Sequence, residues 1–387
     1  HVREKEMPDS SGYRPGPLRR HIIIYKEVSK LSEREKKLIE QFGLKSLPRE
    51  IGVEHHYVKR GILFAYRGEE IFEALRNRHF YVLTGIMPSY DKIHLGTVGV
   101  IEAVKAFSKL SKYTVILVAD LESLSTRNIP LEKAYEIALD TFIPTYLALG
   151  VDPERTYFYF QSKNEDLAPI MFDAAREITL SEFEAVYGNA EPPRVLSVLC
   201  QIADLVFPQL REPMIGIIPV GLDQDPHIRL GRDYVRRTRF YNFRQIVGVY
   251  IKDVPNLSGT GKMSKSEPHN AIFLPEEDEE NLRRKIYKAF SGGGATIEEH
   301  RQKGADLSSD VPYRILQFIL DDEGELSKIT EEYSSGKMLS GEVKKYLYDY
   351  LLEFYKKFRE RYVYYKDVVR RGGVKIIRSH KQLNELT

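Results

Sequence analysis

The sequence predicts an α/β protein with a parallel sheet, an all-helical domain after it and a small extension before it. Five continuous apolar runs carry the sheet prediction: FYVLTG (80–85), YTVILVAD (113–120), TYFYFQS (156–162), MIGIIPVG (214–221) and IVGVYIKD (246–253). Runs without polar alternation predict strands that are covered on both faces, and the helical stretches between them supply that cover. Strands that alternate with helices in this way favour a Rossmann-like sheet.

The chain divides into three predicted segments. Residues 1–75 form an N-terminal extension, in which the short β-like runs IIIYKEV and GILFAY flank the helical SEREKKLIEQFG. Residues 76–273 form the Rossmann-like catalytic domain, where 131–149 is a helix candidate that Pro144 kinks or breaks. Residues 274–387 form the helical domain. No strand-like run follows Leu274, and a helix is expected from Pro275, through an acidic first turn, to a basic end.

Length and composition limit the classes of protein. A chain of 387 residues is long enough for two domains, and its net charge of +2 means that a nucleic-acid partner would have to bind local basic patches. No apolar run approaches the ~18 residues of a membrane span, so none is expected. Cys200 is the only cysteine, which excludes disulfides within the chain and cysteine-based zinc sites. With an N-terminus that lacks the apolar core of a signal peptide, this indicates the cytoplasm.

Two lysines and two serines are concentrated in GKMSKSEPHN (261–270), which is either a phosphate-binding loop or a solvated basic turn. A Walker A loop needs a glycine five residues before the Gly-Lys pair and Ser or Thr after the lysine. Asn256 and Met263 occupy those places. A P-loop kinase or NTPase is therefore disfavoured, and Lys262 and Lys265 alone leave both alternatives open.

A second segment, TGIMPSYDKIHLGT (84–97), directly follows the first predicted sheet strand and leads into an apolar helix. Ligands of doubly wound sheets bind at such strand ends. His94, Gly96 and Thr97 would surround the helix N-terminus, where backbone N–H groups favour an anion. The imidazole would add a hydrogen bond, and Gly96 would allow a base or ribose to approach closely.

Together the two segments resemble the HIGH and KMSKS signatures of class I aminoacyl-tRNA synthetases. KMSKS matches letter for letter at 262–266, whereas HLGT at 94–97 has Thr97 where the second histidine would stand. IPVGLDQDPHIRLGRD (218–233), the N-terminal HHYVKRGILFAYRGEEI and the C-terminal KAFSGGGATIEEHRQKGADLSSDV extend the likeness over roughly residues 35–365. On these segments the chain is identified as a member of the tryptophanyl-tRNA synthetases of archaeal and eukaryotic type.

The resemblance implies a homodimer that activates L-tryptophan with ATP and transfers it to tRNA(Trp), with Mg²⁺ bound mainly by the phosphates and no metal bound by the protein itself. It implies catalytic roles for His94, Lys262 and Lys265. It also implies an ATP site formed by His94, Gly96, Thr97, Gly221, Asp223, Lys262, Met263, Ser264 and Lys265. The implied tryptophan site consists of Leu83, Gly85, Glu122, Gln201, Asp204 and Gln224.

The sequence departs from this family where the indole ring binds. By the resemblance, a tyrosine and a glutamine contact the indole nitrogen in archaeal and eukaryotic members, but Leu83 and Leu117 stand at those places. A buried indole N–H without an acceptor costs ~1 to 3 kcal/mol. Asp204 lies where bacterial tryptophanyl enzymes have their acceptor aspartate. We therefore hypothesise that Asp204 accepts the indole N–H; the alternative is a carboxylate on a helix surface.

A basic stretch in the helical domain is the expected tRNA-binding surface, with tyrosines interleaved for stacking on unpaired bases. Its members are Lys344, Lys345, Lys356, Lys357, Arg359, Arg361, Lys366, Arg370, Arg371 and Lys375. Three other functions stay open: a tyrosyl-tRNA synthetase, another adenylate-forming nucleotidyltransferase of the superfamily, and an inactive RNA-binding paralogue. The absence of a tyrosine at position 83 disfavours the first, and the intact KMSKS disfavours the last.

Overall fold

The structure is a computed structural model that describes residues 31–383 except 67, 90, 91 and 276. The predicted strand IIIYKEV (22–28) lies outside the described residues. The strands are β1 (Lys45–Ser46), β2 (Leu63–Ala65), β3 (Phe80–Ile86), β4 (Ile93–His94), β5 (Tyr113–Val118), β6 (Thr156–Phe160), β7 (Ile215–Gly221), β8 (Ile246–Ile251), β9 (Phe273–Leu274) and β10 (Lys375–Ile376).

Sixteen α-helices accompany these strands in the described part of the chain. They are α1 (Glu33–Phe42), α2 (His56–Lys59), α3 (Glu69–Asn77), α4 (Leu95–Ser108), α5 (Asp120–Arg127), α6 (Leu131–Ile137), α7 (Ile143–Ala148), α8 (Leu167–Glu177), α9 (Leu180–Tyr187), α10 (Pro192–Val206), α11 (Asp225–Arg237), α12 (Glu279–Lys288), α13 (Ile297–Lys303), α14 (Val311–Ile319), α15 (Glu323–Ser334) and α16 (Ser340–Arg370). Among the described residues, none of these helices combines the length and apolar character that crossing a bilayer requires.

The central sheet has the strand order β1-β2-β8-β7-β3-β5-β6-β10. The six strands from β8 to β10 run parallel, whereas β1 and β2 are antiparallel additions at one edge. The chain proceeds from β3 through β5 to β6 on one side and returns through β7 to β8 on the other. This reversal makes the boundary between β3 and β7 a switch point, where ligands of α/β sheets bind. The predicted Rossmann-like α/β fold is confirmed.

Both faces of the sheet are buried, as continuous apolar strands predict. Along β3, Phe80, Val82 and Ile86 belong to one core, and Tyr81 and Leu83 belong to the other. The second core includes α8, α10 and α11. It also forms the floor of the site described below, because Leu83 and its neighbours face it from the sheet.

Two strands depart from the prediction at the sheet edges. The expectation of no strand beyond Leu274 is wrong, because β10 adds Lys375–Ile376 to β6 in parallel. In the N-terminal segment, β2 pairs with β8 and thereby extends the central sheet. A strand of two or three residues is too short for a periodic apolar pattern, so its pairing depends on where the preceding helix returns the chain. For β10 this helix is α16, which at 31 residues is about 46 Å long.

Helix ends follow local chemistry. Ser32 and Glu35 form a reciprocal capping box at the start of α1, and Gly43 ends it in the left-handed conformation at φ 62°. The predicted helix 131–149 consists of α6, a π-helical turn (Ala138–Phe142) and α7, so the irregularity precedes Pro144. The helix expected from Pro275 begins at Glu279, because Asp278 accepts the N–H of Asn281 as its cap.

The long helix α16 returns to the sheet domain and packs against α7. Tyr362 donates a hydrogen bond to the Asp140 carbonyl at 2.7 Å, and Arg361 donates to the Leu147 carbonyl at 3.3 Å. Arg370 pairs with the Asp140 carboxylate at 2.9 Å. Part of the predicted basic stretch is therefore engaged in contacts within the protein.

Candidate active site

A single cavity of about 790 Å³ lies at the carboxyl ends of β3, β5, β7 and β8. Every residue predicted for the ATP and tryptophan sites lines it: Leu83, Gly85, His94, Gly96, Thr97, Glu122, Gln201, Asp204, Gly221, Asp223, Gln224, Lys262, Met263, Ser264 and Lys265. The cavity has one basic, polar end near α4 and one apolar end near α10. Its size is in the range of small-molecule sites, which span about 300 to 1,000 Å³.

The basic end is organised by His94, which caps α4. Its Nδ1 accepts the backbone N–H of Gly96 at 3.0 Å, so the other nitrogen, Nε2, carries the proton in the neutral ring. Burial, reinforced by the nearby positive charges of Lys265 and Lys262, lowers the pKa of His94 to about 4. His94 therefore presents a neutral N–H donor to the cavity at physiological pH.

The missing side chain of Gly96 makes this cap possible, and the close approach of a ligand to Gly96 stays a prediction. A Cβ at position 96 would lie 2.6 Å from Cε1 and 2.7 Å from Nδ1 of His94. The missing side chain therefore makes room for the imidazole. Thr97 follows in the first turn of α4 and is half-buried at the cavity wall.

The Gly96→Ala variant should displace the imidazole from its cap. We expect KM for ATP to rise by about tenfold or more, since a directed donor at the phosphate end is lost. Pyrophosphate exchange at varied ATP measures this. Gly341→Ala is the matched control, because a Cβ there meets nothing within 4 Å. Unchanged ATP kinetics in Gly96→Ala would contradict the role assigned to the cap.

The lysine loop is held at both ends while its lysine tips face the cavity. At its base, Met263 is 2% exposed and its N–H donates to the Val254 carbonyl at 2.8 Å. The buried Asn256 side chain accepts the N–H groups of Thr260 and Gly261 at 3.1 and 3.4 Å. After the loop, β9 pairs with β4 and so joins this segment to His94. The two predicted motifs are thus connected by backbone pairing.

The two loop lysines have different partners. Lys262 Nζ lies 2.7 Å from the Asp223 carboxylate, whose pKa is kept low by that ammonium against the opposing effect of burial. Lys265 Nζ lies 3.4 Å from the Ser89 hydroxyl and 4.8 Å from the centre of the Phe142 ring. Lys265 therefore projects to the side of the cavity lined by α4 and by the π-helical turn.

The apolar end is lined by leucines on the two central strands. Leu83 on β3 and Leu117 on β5 are 1% and 7% exposed, and both line the cavity. Gly85 lies beside Leu117 in the sheet register, and a Cβ at position 85 would lie 3.4 Å from Cγ of Leu117. This produces a flat apolar wall suited to an aromatic ring. Neither leucine offers a hydrogen bond to such a ring.

Asp204 supplies the polar group at this end. It is 1% exposed, so the alternative of a carboxylate on a helix surface is wrong. Its Oδ1 accepts the hydroxyl of Tyr159 at 2.6 Å, and its Oδ2 accepts the Gln161 amide at 2.6 Å. Burial raises the pKa of Asp204 to about 8, and these two hydrogen bonds oppose the rise.

A third polar group lies between the two ends. Gln201 donates its Nε2 to Oε2 of Glu122 at 3.0 Å, while its buried Oε1 has no hydrogen-bond partner in the protein. Burial raises the pKa of Glu122, and the Gln201 hydrogen bond opposes this. A carboxylate and an orphaned amide oxygen together suit an ammonium group. Gln224 lines the cavity at the adjoining start of α11.

Sequence reasoning missed Tyr159 and Gln161 as parts of this site. Gln161 was visible as the first polar residue after the apolar run of β6, where side chains of parallel strands reach a ligand. Tyr159 carried no such signal, because a tyrosine within an apolar strand is indistinguishable from other core residues. Only the packing of β6 against α10 shows its hydroxyl bound to Asp204.

One group of possible metal ligands occurs in the described residues, and it lies outside the cavity lining: His55, His56 and Glu102. Nδ1 of His55 accepts the Tyr57 N–H at 3.1 Å, so its Nε2 carries a proton toward Glu102 at 3.2 Å. Lys105 Nζ occupies the other oxygen of Glu102 at 2.5 Å. A metal needs unprotonated ring nitrogens and a carboxylate free of cations. His55 and Glu102 do not offer these groups, whereas Nε2 of His56 is buried without a hydrogen-bond partner.

Comparison with known proteins agrees with this geometry. Residues 75–356 match the family described as tRNA synthetases class I (W and Y). The tryptophan–tRNA ligase of Methanocaldococcus jannaschii is 37% identical over 341 residues, covering 84% of this chain and 91% of the relative. The chain belongs to the tryptophanyl-tRNA synthetases of archaeal and eukaryotic type. The aminoacyl-tRNA synthetase resemblance inferred from the motifs is therefore confirmed at the level of the family.

Solved structures of the same family superimpose over most of the chain. The tryptophanyl-tRNA synthetase of Aeropyrum pernix has a TM-score of 0.80 at 31% identity and covers 89% of this chain and 96% of its own. That of Encephalitozoon cuniculi, bound to tryptophan, has a TM-score of 0.79 at 25% identity and covers 91% and 99%.

Proposed function

We propose that this protein is a tryptophan–tRNA ligase, which activates L-tryptophan with ATP and transfers the tryptophanyl group to tRNA(Trp). The observation that carries the proposal is one cavity that joins His94 and the two loop lysines to an apolar slot ending at Asp204. A nucleoside triphosphate fits the basic end. An aromatic amino acid fits the apolar end, with its ammonium toward Glu122 and Gln201.

In the first step, a carboxylate oxygen of tryptophan attacks the α-phosphorus of ATP. A new P–O bond forms as the bond between the α- and β-phosphates breaks, and pyrophosphate leaves. No covalent enzyme nucleophile is needed, so the protein accelerates the step by orientation and by placing positive charge where negative charge develops. Lys262 and Lys265 suit this role, because a lysine is a flexible point charge that follows the phosphates.

Other residues position the nucleotide. The neutral N–H of His94 donates toward the phosphates, and Gly221 and Asp223 approach the ribose at the end of β7. When Lys262 moves to the phosphates, its present partner Asp223 becomes available as an acceptor for ribose hydroxyls. Asp223 thus holds Lys262 close to the place where it would act.

Mg²⁺ accompanies the nucleotide and neutralises charge on the phosphates. No group of three candidate ligands occurs at the cavity within the described residues. Two carboxylates, Asp223 and Asp253, line this end together with the loop lysines, and Asp223 is paired with Lys262. Phosphate oxygens and water would therefore supply the ligands, as is common for Mg²⁺.

In the second step, a ribose hydroxyl at the 3′ end of the tRNA attacks the acyl carbon of the adenylate, and AMP leaves. The helical segment 274–387 supplies the tRNA surface. On α16 the exposed Lys356, Lys357 and Arg359 remain suited to phosphates, whereas Arg361 and Arg370 bind the protein itself. We further propose that the protein acts as a cytoplasmic homodimer, on the basis of the family and the single, buried Cys200.

Pyrophosphate exchange with each amino acid in turn tests this function. The expected result is exchange with tryptophan alone and, with tRNA added, formation of tryptophanyl-tRNA. Tyrosine as the preferred substrate would contradict the tryptophan site. Exchange with a different carboxylic acid would identify another nucleotidyltransferase, and no exchange with any would identify an inactive paralogue.

A further inference from the structure

The carboxylate of Asp204 is held by two side chains of one strand end. Tyr159 lies on β6, and Gln161 is the first residue after the end of this strand. Each donates to a different oxygen of Asp204, at 2.6 Å in both cases. Both side chains are almost fully buried, at 0% and 2% exposure. A buried carboxylate with one donor on each oxygen has a fixed orientation.

Gln161 is itself fixed from its other side. Its Oε1 faces the N–H of Glu122 at 3.4 Å, which directs the amide NH₂ toward Asp204. A flip of the amide would turn an acceptor toward the carboxylate and an NH₂ toward another N–H. Gln161 therefore connects the polar group at the ring end to the acidic group at the ammonium end.

When Asp204 is ionised, the hydrogen-bonding capacity that remains at this end is that of an acceptor. The single hydroxyl proton of Tyr159 is used by Asp204, and each carboxylate oxygen retains a second lone pair. The central strands contribute only Leu83 and Leu117. A ring that offers an N–H donor is paired here, whereas a phenyl ring would leave the carboxylate without its third partner.

We propose that Tyr159 and Gln161 are positioning residues for specificity, which hold Asp204 as the acceptor of the indole N–H in place of the leucine-substituted positions 83 and 117. The inference rests on the proposed function, because it concerns the tryptophan end of that cavity. The groups that recognise the ring would then lie on α10 and at the end of β6, and not on β3 and β5.

The charge state of Asp204 gives this proposal a measurable signature. Burial raises its pKa to about 8; the Tyr159 and Gln161 hydrogen bonds lower it, and the Glu122 and Asp120 carboxylates on α5 raise it. Cys200 on α10 also interacts with Asp204, and burial raises the pKa of that thiol; Tyr81 on β3 interacts with Tyr159, and burial raises the pKa of Tyr81. Because an acid accepts best when ionised, tryptophan binding should strengthen as pH rises toward 8. Loss of either donor should move that transition to higher pH.

The test measures tryptophan binding and kinetics across pH for Tyr159→Phe and Gln161→Met. The chain contains no tryptophan, so ligand fluorescence reports the Kd directly. We expect Kd and KM for tryptophan to rise by about 10- to 100-fold, with KM for ATP unchanged, as expected for loss of a hydrogen bond to a charged group. The pH transition of kcat/KM should move upward in both variants and be absent in Asp204→Asn.

Tyr113→Phe is the matched control, because it removes another buried strand hydroxyl, one that donates to the Pro208 carbonyl at 3.2 Å. It should keep the tryptophan Kd and the pH profile of the wild type. Titration of the substrate's own ammonium group affects all variants equally. A difference between variants in the pH transition of kcat/KM therefore reports on the titration of Asp204. If Gln161→Met does not fold, Tyr159→Phe, which removes a single oxygen atom, carries the test alone.

Measurements on the wild-type protein distinguish failure of the positioning role from failure of the proposed function. Exchange with tryptophan in the wild type, together with wild-type Kd and pH profile in both variants, would overturn the positioning role and leave the proposed function intact. Failure of the wild type to activate tryptophan would overturn both. A rise in tryptophan Kd in the two variants without any displacement of the pH transition would also overturn the positioning role, because that result indicates a purely structural role for Tyr159 and Gln161.

Discussion

Replacing Lys265 by alanine is expected to lower the rate of tryptophan-dependent pyrophosphate exchange by about 10²- to 10³-fold, the scale of losing one preorganised charge donor. The Lys265 ammonium lies at the cavity wall near Ser89, within the same loop that carries Lys262. As negative charge moves onto the departing pyrophosphate, the variant lacks one of the two cations that the loop brings to the cavity. The loss should therefore fall on kcat, with a smaller effect on KM for tryptophan.

Single-turnover formation of the adenylate measures this effect without interference from product release. Lys133→Ala is the matched control, since Lys133 is an exposed lysine that pairs only with Glu136 on α6. It should retain wild-type exchange. If Lys265→Ala kept exchange within about threefold of the wild type, the loop would be a solvated turn and the catalytic role would be wrong.

Asp204→Asn should raise KM for tryptophan by about 10- to 100-fold and leave KM for ATP unchanged. The substitution removes the negative charge with which the ionised form of Asp204 attracts the indole N–H. It also places an NH₂ group opposite a donor of either Tyr159 or Gln161, since each oxygen of Asp204 now accepts from one of them. The acceptor end of the pocket would thus lose both its charge and its fixed orientation.

Asp173→Asn is a matched control for burying an amide in place of an acid. Asp173 is 6% exposed, and its Oδ2 accepts the Tyr234 and Thr238 hydroxyls at 2.9 and 2.6 Å, outside the cavity lining. It should change thermal stability without changing KM for tryptophan. An unchanged tryptophan KM in Asp204→Asn would show that the indole N–H binds elsewhere.

Much of the nucleotide site could be predicted because its parts are contiguous in sequence. HLGT and KMSKS each follow a strand, and the rule that ligands bind at strand ends places both at one edge of the sheet. What the motifs left open was the use of each residue. Gly96 was expected to admit a ligand, and only the structure shows that its missing Cβ also makes room for His94.

The ring end was only half predictable. Leu83 and Leu117 showed that the usual acceptors were absent, and Asp204 was a candidate for replacing them. Its burial, and with it the rejection of the surface alternative, came from the packing of α10 on the sheet. Tyr159 had no sequence signal at all, because a strand tyrosine that fills a core and one that orients a carboxylate have the same local pattern.

By itself the sequence determined the α/β class, the order of the strands along the chain and the two segments proposed to bind phosphates, since these depend on local periodicity and on residues that are neighbours in the chain. Only the tertiary structure decided that β2 and β10 complete the sheet, that part of the basic stretch on α16 binds the protein itself, and that Tyr159 and Gln161 hold Asp204. These contacts join residues up to 230 positions apart, as between Asp140 and Arg370, whose distance in space no local pattern encodes. The physical reason is that a hydrogen bond or a strand pair requires geometry, and geometry between distant segments is fixed only when the core packs.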